Sequence, residues 1–99
     1  MAIAIYEYEF DGPYADINSL KSKPGIYAVM VWKDEDWRLL DMGESQNIVE
    51  KLSSHERKEE WSLYSKKKTR AYAGFYEEDA EKRHEIQEEL RSKARPPCG

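Results

Sequence analysis

The chain has 99 residues, of which 39% are apolar, 36% charged and 12% aromatic; this length allows one domain with one modest core, and the patterned aromatics argue against disorder. The net charge of −4 is uneven, since the first 20 residues carry four acidic and no basic side chains, leaving 16 of each sign in the remainder. An acidic total argues against strong nonspecific nucleic-acid binding but leaves room for local basic clusters, and the single cysteine, Cys98, excludes an internal disulfide and a cysteine-based metal site.

Apolar runs are only a few residues long, which excludes a membrane span and a membrane partner. The start, MAIAIYEYEF, has no basic residue and carries Glu7 and Glu9, so it does not read as a secretory signal. A cytoplasmic protein is the expectation.

In chain order, residues 2–10 predict one strand, with Ile3, Ile5, Tyr6, Tyr8 and Phe10 as strand formers alternating with Glu7 and Glu9. Asp11-Gly12-Pro13 predicts a turn, and residues 14–23 a link or short helical turn with Ile17 and Leu20 on one side. Pro24-Gly25 leads into Ile26–Trp32, IYAVMVW, whose continuous apolar run predicts a central strand buried on both faces. Lys33-Asp34-Glu35-Asp36 connects it to a return strand, Trp37–Met42, which Gly43 is expected to break.

Ser45 stands as the expected N-cap of a helix on which Ile48, Leu52 and His55 share a face. In the charged stretch from Glu56 to Lys68, Trp61, Leu63 and Tyr64 are the expected anchors. Thr69–Tyr76 predicts a further strand with Tyr72, Gly74 and Tyr76 on one side. Residues 78–94 predict the best helix, capped by Asp79 or Glu78, with Arg91, Lys93 and Arg95 favoured at its carbonyl end and Pro96-Pro97 as its stop. The order β, β-hairpin, α, β, α predicts a small α+β sandwich, its antiparallel or mixed sheet flanked by helices. The three tryptophans are expected in the core, and His84 at the surface.

Several of these residues carry a resemblance. Gly25-Ile26-Tyr27 opens the central strand, the return strand ends in Asp41-Met42-Gly43, and Glu44-Ser45-Gln46-Asn47-Ile48 leads into a helix followed by His55. The last helix offers Arg83-x-x-Ile86 and Leu90, then Pro97. This pattern resembles the GIY-YIG nuclease superfamily, in which a hairpin carries the two name triplets. The resemblance covers roughly residues 22–99. It implies a GIY-YIG-like domain over residues 21–99, with residues 1–20 as an added N-terminal strand and lead-in.

The resemblance also implies site residues. In the family a Tyr from each triplet flanks the scissile phosphate, an Arg on the first helix stabilises negative charge, and a Glu on the last helix holds a divalent metal. Tyr27 matches the first Tyr, and His55 matches the His that often follows the first helix. The second Tyr falls at Asp41, the Arg at Lys51 and the Glu at Gln87. Lysine keeps the charge but loses the planar fork of arginine. A neutral amide at Gln87 is a poor anchor for Mg²⁺, which prefers carboxylates and water.

The implied function is that of a divergent nuclease-like domain with lost or much reduced activity, acting as a nucleic-acid or protein binding module. The alternative is an active, metal-dependent DNA endonuclease with a rearranged site. There Tyr27, Lys51 and His55 act on the phosphate, and Asp41 holds Mg²⁺ or Mn²⁺. Read from the residues alone, Tyr27 also suits strand packing, Lys51 a solvated helix face and His55 a helix end. The one concentrated basic run, Lys66, Lys67, Lys68 and Arg70 with Tyr64 and Tyr72 on its flanks, is the candidate contact for DNA. It reads equally as a solvated loop. The acidic first 20 residues suit a protein partner.

Overall fold

The structure, a computed structural model, describes residues 1–66 and 68–98. Five strands form one antiparallel sheet in the order β1-β2-β5-β3-β4. They are β1 (Ala2–Ile5), β2 (Tyr8–Tyr14), β3 (Gly25–Lys33), β4 (Asp36–Ser45) and β5 (Arg70–Tyr76), joined by α1 (Ile48–Ser53), α2 (Lys58–Ser65) and α3 (Ala80–Ala94). A single 3-10 turn, Ile17–Ser19, capped by Asp16, occupies the link before β3. The α+β class, the antiparallel sheet and the flanking helices agree with the sequence reading. No helix among the described residues is long and apolar enough to cross a membrane.

The sheet has two differently packed faces. On one, Tyr27, Val29 and Tyr72 meet Ile48 and Leu52 of α1, Trp61 of α2 and the C-terminal Cys98. On the other, Ile26, Ala28, Met30, Met42 and Ala73 meet Phe10 of β2 and Leu90 of α3. Alternation along β3 sends its odd residues to the first face and its even residues to the second, and Ile26 through Val31 are all buried. This is what the continuous apolar run predicted.

The N-terminal segment differs from expectation. Residues 2–10 form two strands, because the chain reverses at Tyr6-Glu7, where Tyr6 takes a φ of 54°. Asp11-Gly12-Pro13 lies inside β2, at an irregularity in its pairing with β5. Gly12 has a φ of +121°, and a Cβ there would meet the Tyr72 carbonyl oxygen at 2.8 Å. Glycine is required by both the conformation and the close approach. Residues 1–20 thus add two strands to the same sheet rather than one.

Other differences are local. β4 continues through Gly43 to Ser45, and Asn47 caps α1 in place of Ser45, accepting from the Glu50 N–H at 3.1 Å. His55 lies beyond the end of α1, yet is buried. Of the three expected anchors of the charged stretch only Trp61 is buried; Leu63 and Tyr64 are 67% and 51% exposed. Trp32, expected in the core, is 43% exposed and packs edge-on against Trp37. α3 begins at Ala80 with Asp79 as its cap, and His84 is exposed as expected.

A buried candidate site between the sheet and two short helices

The hairpin β3–β4 builds the site. Tyr27 pairs with Gly43 and Val29 with Asp41, so both Tyr27 and Asp41 face α1 and α2. Gly43 lies beneath the Tyr27 ring: a Cβ there would meet Tyr27 Cζ at 2.7 Å. The pairing shifts between Val29 and Met30, leaving Leu40 as an extra residue of β4. Such a bulge turns a strand locally; Leu40 joins the same face, and its carbonyl accepts the Cys98 N–H at 3.0 Å.

Tyr27 and His55 meet. The phenol oxygen lies 2.6 Å from His55 Nε2, and the two side chains belong to residues only 2% and 4% exposed. The Arg57 backbone N–H lies 3.0 Å from His55 Nδ1. A backbone N–H can only donate, so Nδ1 presents its lone pair and the neutral ring carries its proton on Nε2. Nε2–H therefore donates to the Tyr27 oxygen. His55 in this orientation supports the phenol but cannot take its proton. Burial, then the Asp41 charge, pushes Tyr27 up to about 12. Burial pulls His55 below the usual imidazole value. Both groups are thus held neutral near pH 7.

Asp41 is completely buried and fully engaged. Its Oδ2 accepts from Arg57 Nε and from the Trp61 indole N–H, each at 2.8 Å. Its Oδ1 accepts from Arg57 Nη2 at 3.1 Å and from the Met42 N–H at 2.8 Å. Arg91 of α3 lies 3.7 Å from Oδ1 and also donates to the Met42 carbonyl. The fork of Arg57 on Asp41 is a charge-assisted, bidentate pair, and the hydrogen bond to Asp41 holds the Arg57 guanidinium above its ordinary value. Asp41 thus serves as the anchor of two cations and an indole. No group of three or more His, Cys, Asp or Glu residues gathers at a possible metal position among the described residues.

The remaining expected site residues are placed as follows. Lys51 Nζ pairs with Glu56 at 3.1 Å, while Glu56, held by its own backbone N–H and by Lys51, is pulled down to about 2. Glu56 Oε2 lies 3.8 Å from His55 Nδ1, but Nδ1 carries no proton in this tautomer, so the two are neighbours without a bond between them. Gln87 is half-buried on α3, whose Leu90 packs on the opposite face of the sheet. In the basic run, Lys66 and Lys68 are exposed, and Lys67 lies outside the described residues. Arg70 is turned inward, donating to the Tyr72 hydroxyl at 3.0 Å and lying 5.9 Å from the Trp61 ring centre.

Sequence reasoning missed Arg57, Arg91 and the indole of Trp61 as partners in this site. The available signal was Asp41 itself. An acid inside the apolar stretch Leu39-Leu40-Asp41-Met42 must find a cation or hydrogen-bond donors once buried. The four charged neighbours of Arg57 in the chain concealed which cation turned inward.

Compared with known proteins, the chain matches no family model, no curated protein and no solved structure.

Proposed function

We propose that this protein is a divergent GIY-YIG-like domain that has kept the arrangement of the nuclease site without its cleavage chemistry, and that it binds nucleic acid. One observation carries this reading. Asp41, standing where the resemblance places a second Tyr, is buried and bound bidentately by Arg57. The charge that a phosphate would need is thereby neutralised inside the protein. Lys51, at the position of the family's Arg, is likewise paired, with Glu56. Eight cations are exposed without an ion-pair partner among the described residues; apart from Lys21, Lys23, Lys82 and Arg95, four gather on one side, namely Lys33, Arg38, Lys66 and Lys68. They lie around the far end of the β3–β4 hairpin and the loop before β5, and form the surface that meets the phosphate backbone.

The test pairs a binding and a cleavage measurement on the full chain. Anisotropy of labelled single- and double-stranded DNA should show binding at low salt that weakens as salt rises. Incubation of the same DNA with Mg²⁺ or Mn²⁺ should yield no product. Absence of any low-salt binding overturns the reading and favours a protein partner.

The meeting of Tyr27 and His55, at the two positions that match the family, carries a second reading only in the opposite tautomer, in which His55 would accept from the phenol: a metal-dependent endonuclease with a rearranged site. Cleavage that disappears in Tyr27→Phe would establish it.

A further inference from the structure

The face opposite α3 carries a concavity at the other end of β3 from Tyr27. Its volume is about 220 Å³, and Leu40, Tyr64 and Pro97 form its apolar walls. Lys33, Arg38 and Lys68 stand around it, against one acid, Asp34. Two backbone bonds fix its shape. The Trp32 N–H donates to the Thr69 carbonyl at 2.8 Å, tying the end of β3 to the loop of Lys68. The Cys98 N–H bond to Leu40 holds Pro97 in place as a wall. Tyr64, half exposed near the end of α2, supplies the one aromatic ring of the lining.

We infer that this cleft takes one unstacked base of a single-stranded nucleic acid, with the flanking phosphates on Lys33, Arg38 and Lys68. This rests on the nucleic-acid reading above and deepens it. The volume is below the roughly 300–1,000 Å³ of sites that enclose a drug-sized ligand, so it suits one planar ring rather than a whole nucleotide. An apolar slot with an aromatic wall reads the face of a base, which a duplex keeps stacked and a single strand exposes. The three cations exceed the one acid of the lining, so the occupant is anionic. Lys66, exposed two residues before Lys68, adds a further basic position for a repeating charge. The net charge of −4 does not oppose this, because four of the acids lie in the β1–β2 turn, in β2 and in the link after it.

The test uses the full chain and three probes of equal length: labelled oligothymidylate, an abasic strand with the same phosphates, and duplex DNA. Oligothymidylate should bind about tenfold more tightly than the abasic strand, in keeping with the worth of one stacked base. Tyr64→Ala should remove that advantage and leave abasic-strand binding unchanged; its side chain is exposed, so the fold is not at stake. A Lys33→Ala, Lys68→Ala double variant should weaken all three probes and flatten their salt dependence. Equal binding of abasic and base-bearing strands, or no effect of Tyr64→Ala, overturns the cleft while leaving the cationic surface intact. Displacement of oligothymidylate by an acidic, tyrosine-containing peptide at the same concentration overturns it in favour of a protein ligand. Failure of all three probes to bind overturns the parent reading as well.

Discussion

The two faces of the sheet solve the burial problem differently. Against α3, Phe10, Ile26, Met30, Met42 and Leu90 form an apolar layer. Against α1 and α2, a similar layer is interrupted by Asp41, Arg57, His55 and the hydroxyl of Tyr27. Apolar packing is tolerant of shape, since similar volumes can repack. A hydrogen-bonded network is not tolerant, because each member left without its partner is penalised in a low-dielectric interior. The α1–α2 face is thereby held to one geometry around Tyr27, although two short helices of six and eight residues cover it.

The largest test of this contrast is to break the network from its centre. Asp41→Leu leaves the Arg57 guanidinium and the Trp61 N–H facing apolar surroundings. Removing one partner of a buried pair costs about 3–5 kcal/mol; Arg57 is 25% exposed and keeps some water, so the lower end is expected in urea unfolding. Asp41→Leu combined with Arg57→Leu should recover part of the loss, because the Arg57 charge is then no longer stranded, while Arg91 keeps its bond to the Met42 carbonyl. A double variant no more stable than the single one would mean that Asp41 acts through Trp61 and the Met42 N–H instead.

On the apolar face the corresponding change is Leu90→Ala. Leu90 is completely buried, and the truncation should cost about 2–4 kcal/mol by lost transfer and cavity formation. No second substitution on that face should rescue it by removing a partner, whereas refilling the volume should. Chemical shifts of Tyr27 and His55 should stay nearly unchanged in Leu90→Ala and move widely in Asp41→Leu. If Leu90→Ala disturbs Tyr27 equally, the two faces are not energetically separable.

The difference between the faces also explains what was legible in the sequence. The apolar face and the hairpin follow from period and polarity. IYAVMVW has no charged residue and only the Tyr27 hydroxyl among polar groups, and Lys33-Asp34-Glu35-Asp36 has no apolar residue. The reversal at Tyr6-Glu7 was hidden because strand-like alternation continues through it, and only backbone conformation marks the turn. The turn signal at Asp11-Gly12-Pro13 was genuine chemistry used for another purpose, since Gly12 lets β2 press against Tyr72. Gly43 looked like a strand end because nothing local reveals that the Tyr27 ring lies over it. Tyr27 and His55 were paired by resemblance, at a separation of 28 residues. The Arg57–Asp41 pair depends on how a run of charges is oriented, which pattern alone does not encode.

The pH dependence sharpens the comparison, because Tyr27, Tyr76 and His55 are on the polar face. Tyr27 is pushed from 10.0 up to about 12 by burial and by Asp41. The unfolded phenol ionises first as pH rises, so the contribution is complete below pH 10 and is lost between about 10 and 12, worth ~3 kcal/mol. Tyr76, pushed up to about 12 chiefly by burial, adds in the same window. Tyr27→Phe should remove its share of the alkaline slope in urea midpoints. A variant with an unchanged slope would assign the effect to Tyr76.

The acid side gives the most specific test, since it reads the direction of the Tyr27–His55 hydrogen bond. Burial depresses His55, opposed by Glu56 and Asp41 and assisted by Arg57 and Lys51. The unfolded imidazole takes up its proton first, near pH 6.5. Stability from neutral His55 is therefore complete above that pH and is lost as pH falls through the lower, folded value. Nitrogen-15 shifts of the ring at pH 7 should identify Nε2 as the protonated nitrogen, with Nδ1 accepting from the Arg57 N–H. On acidification the second proton must enter at Nδ1, facing that N–H, so protonation should break the Arg57 contact as it occurs. His55→Gln should abolish this acid-induced loss, and its amide can still donate to Tyr27. If Nδ1 instead carries the proton at pH 7, the Arg57 N–H has lost its acceptor and Tyr27 donates to His55, which restores the histidine as a base for the phenol.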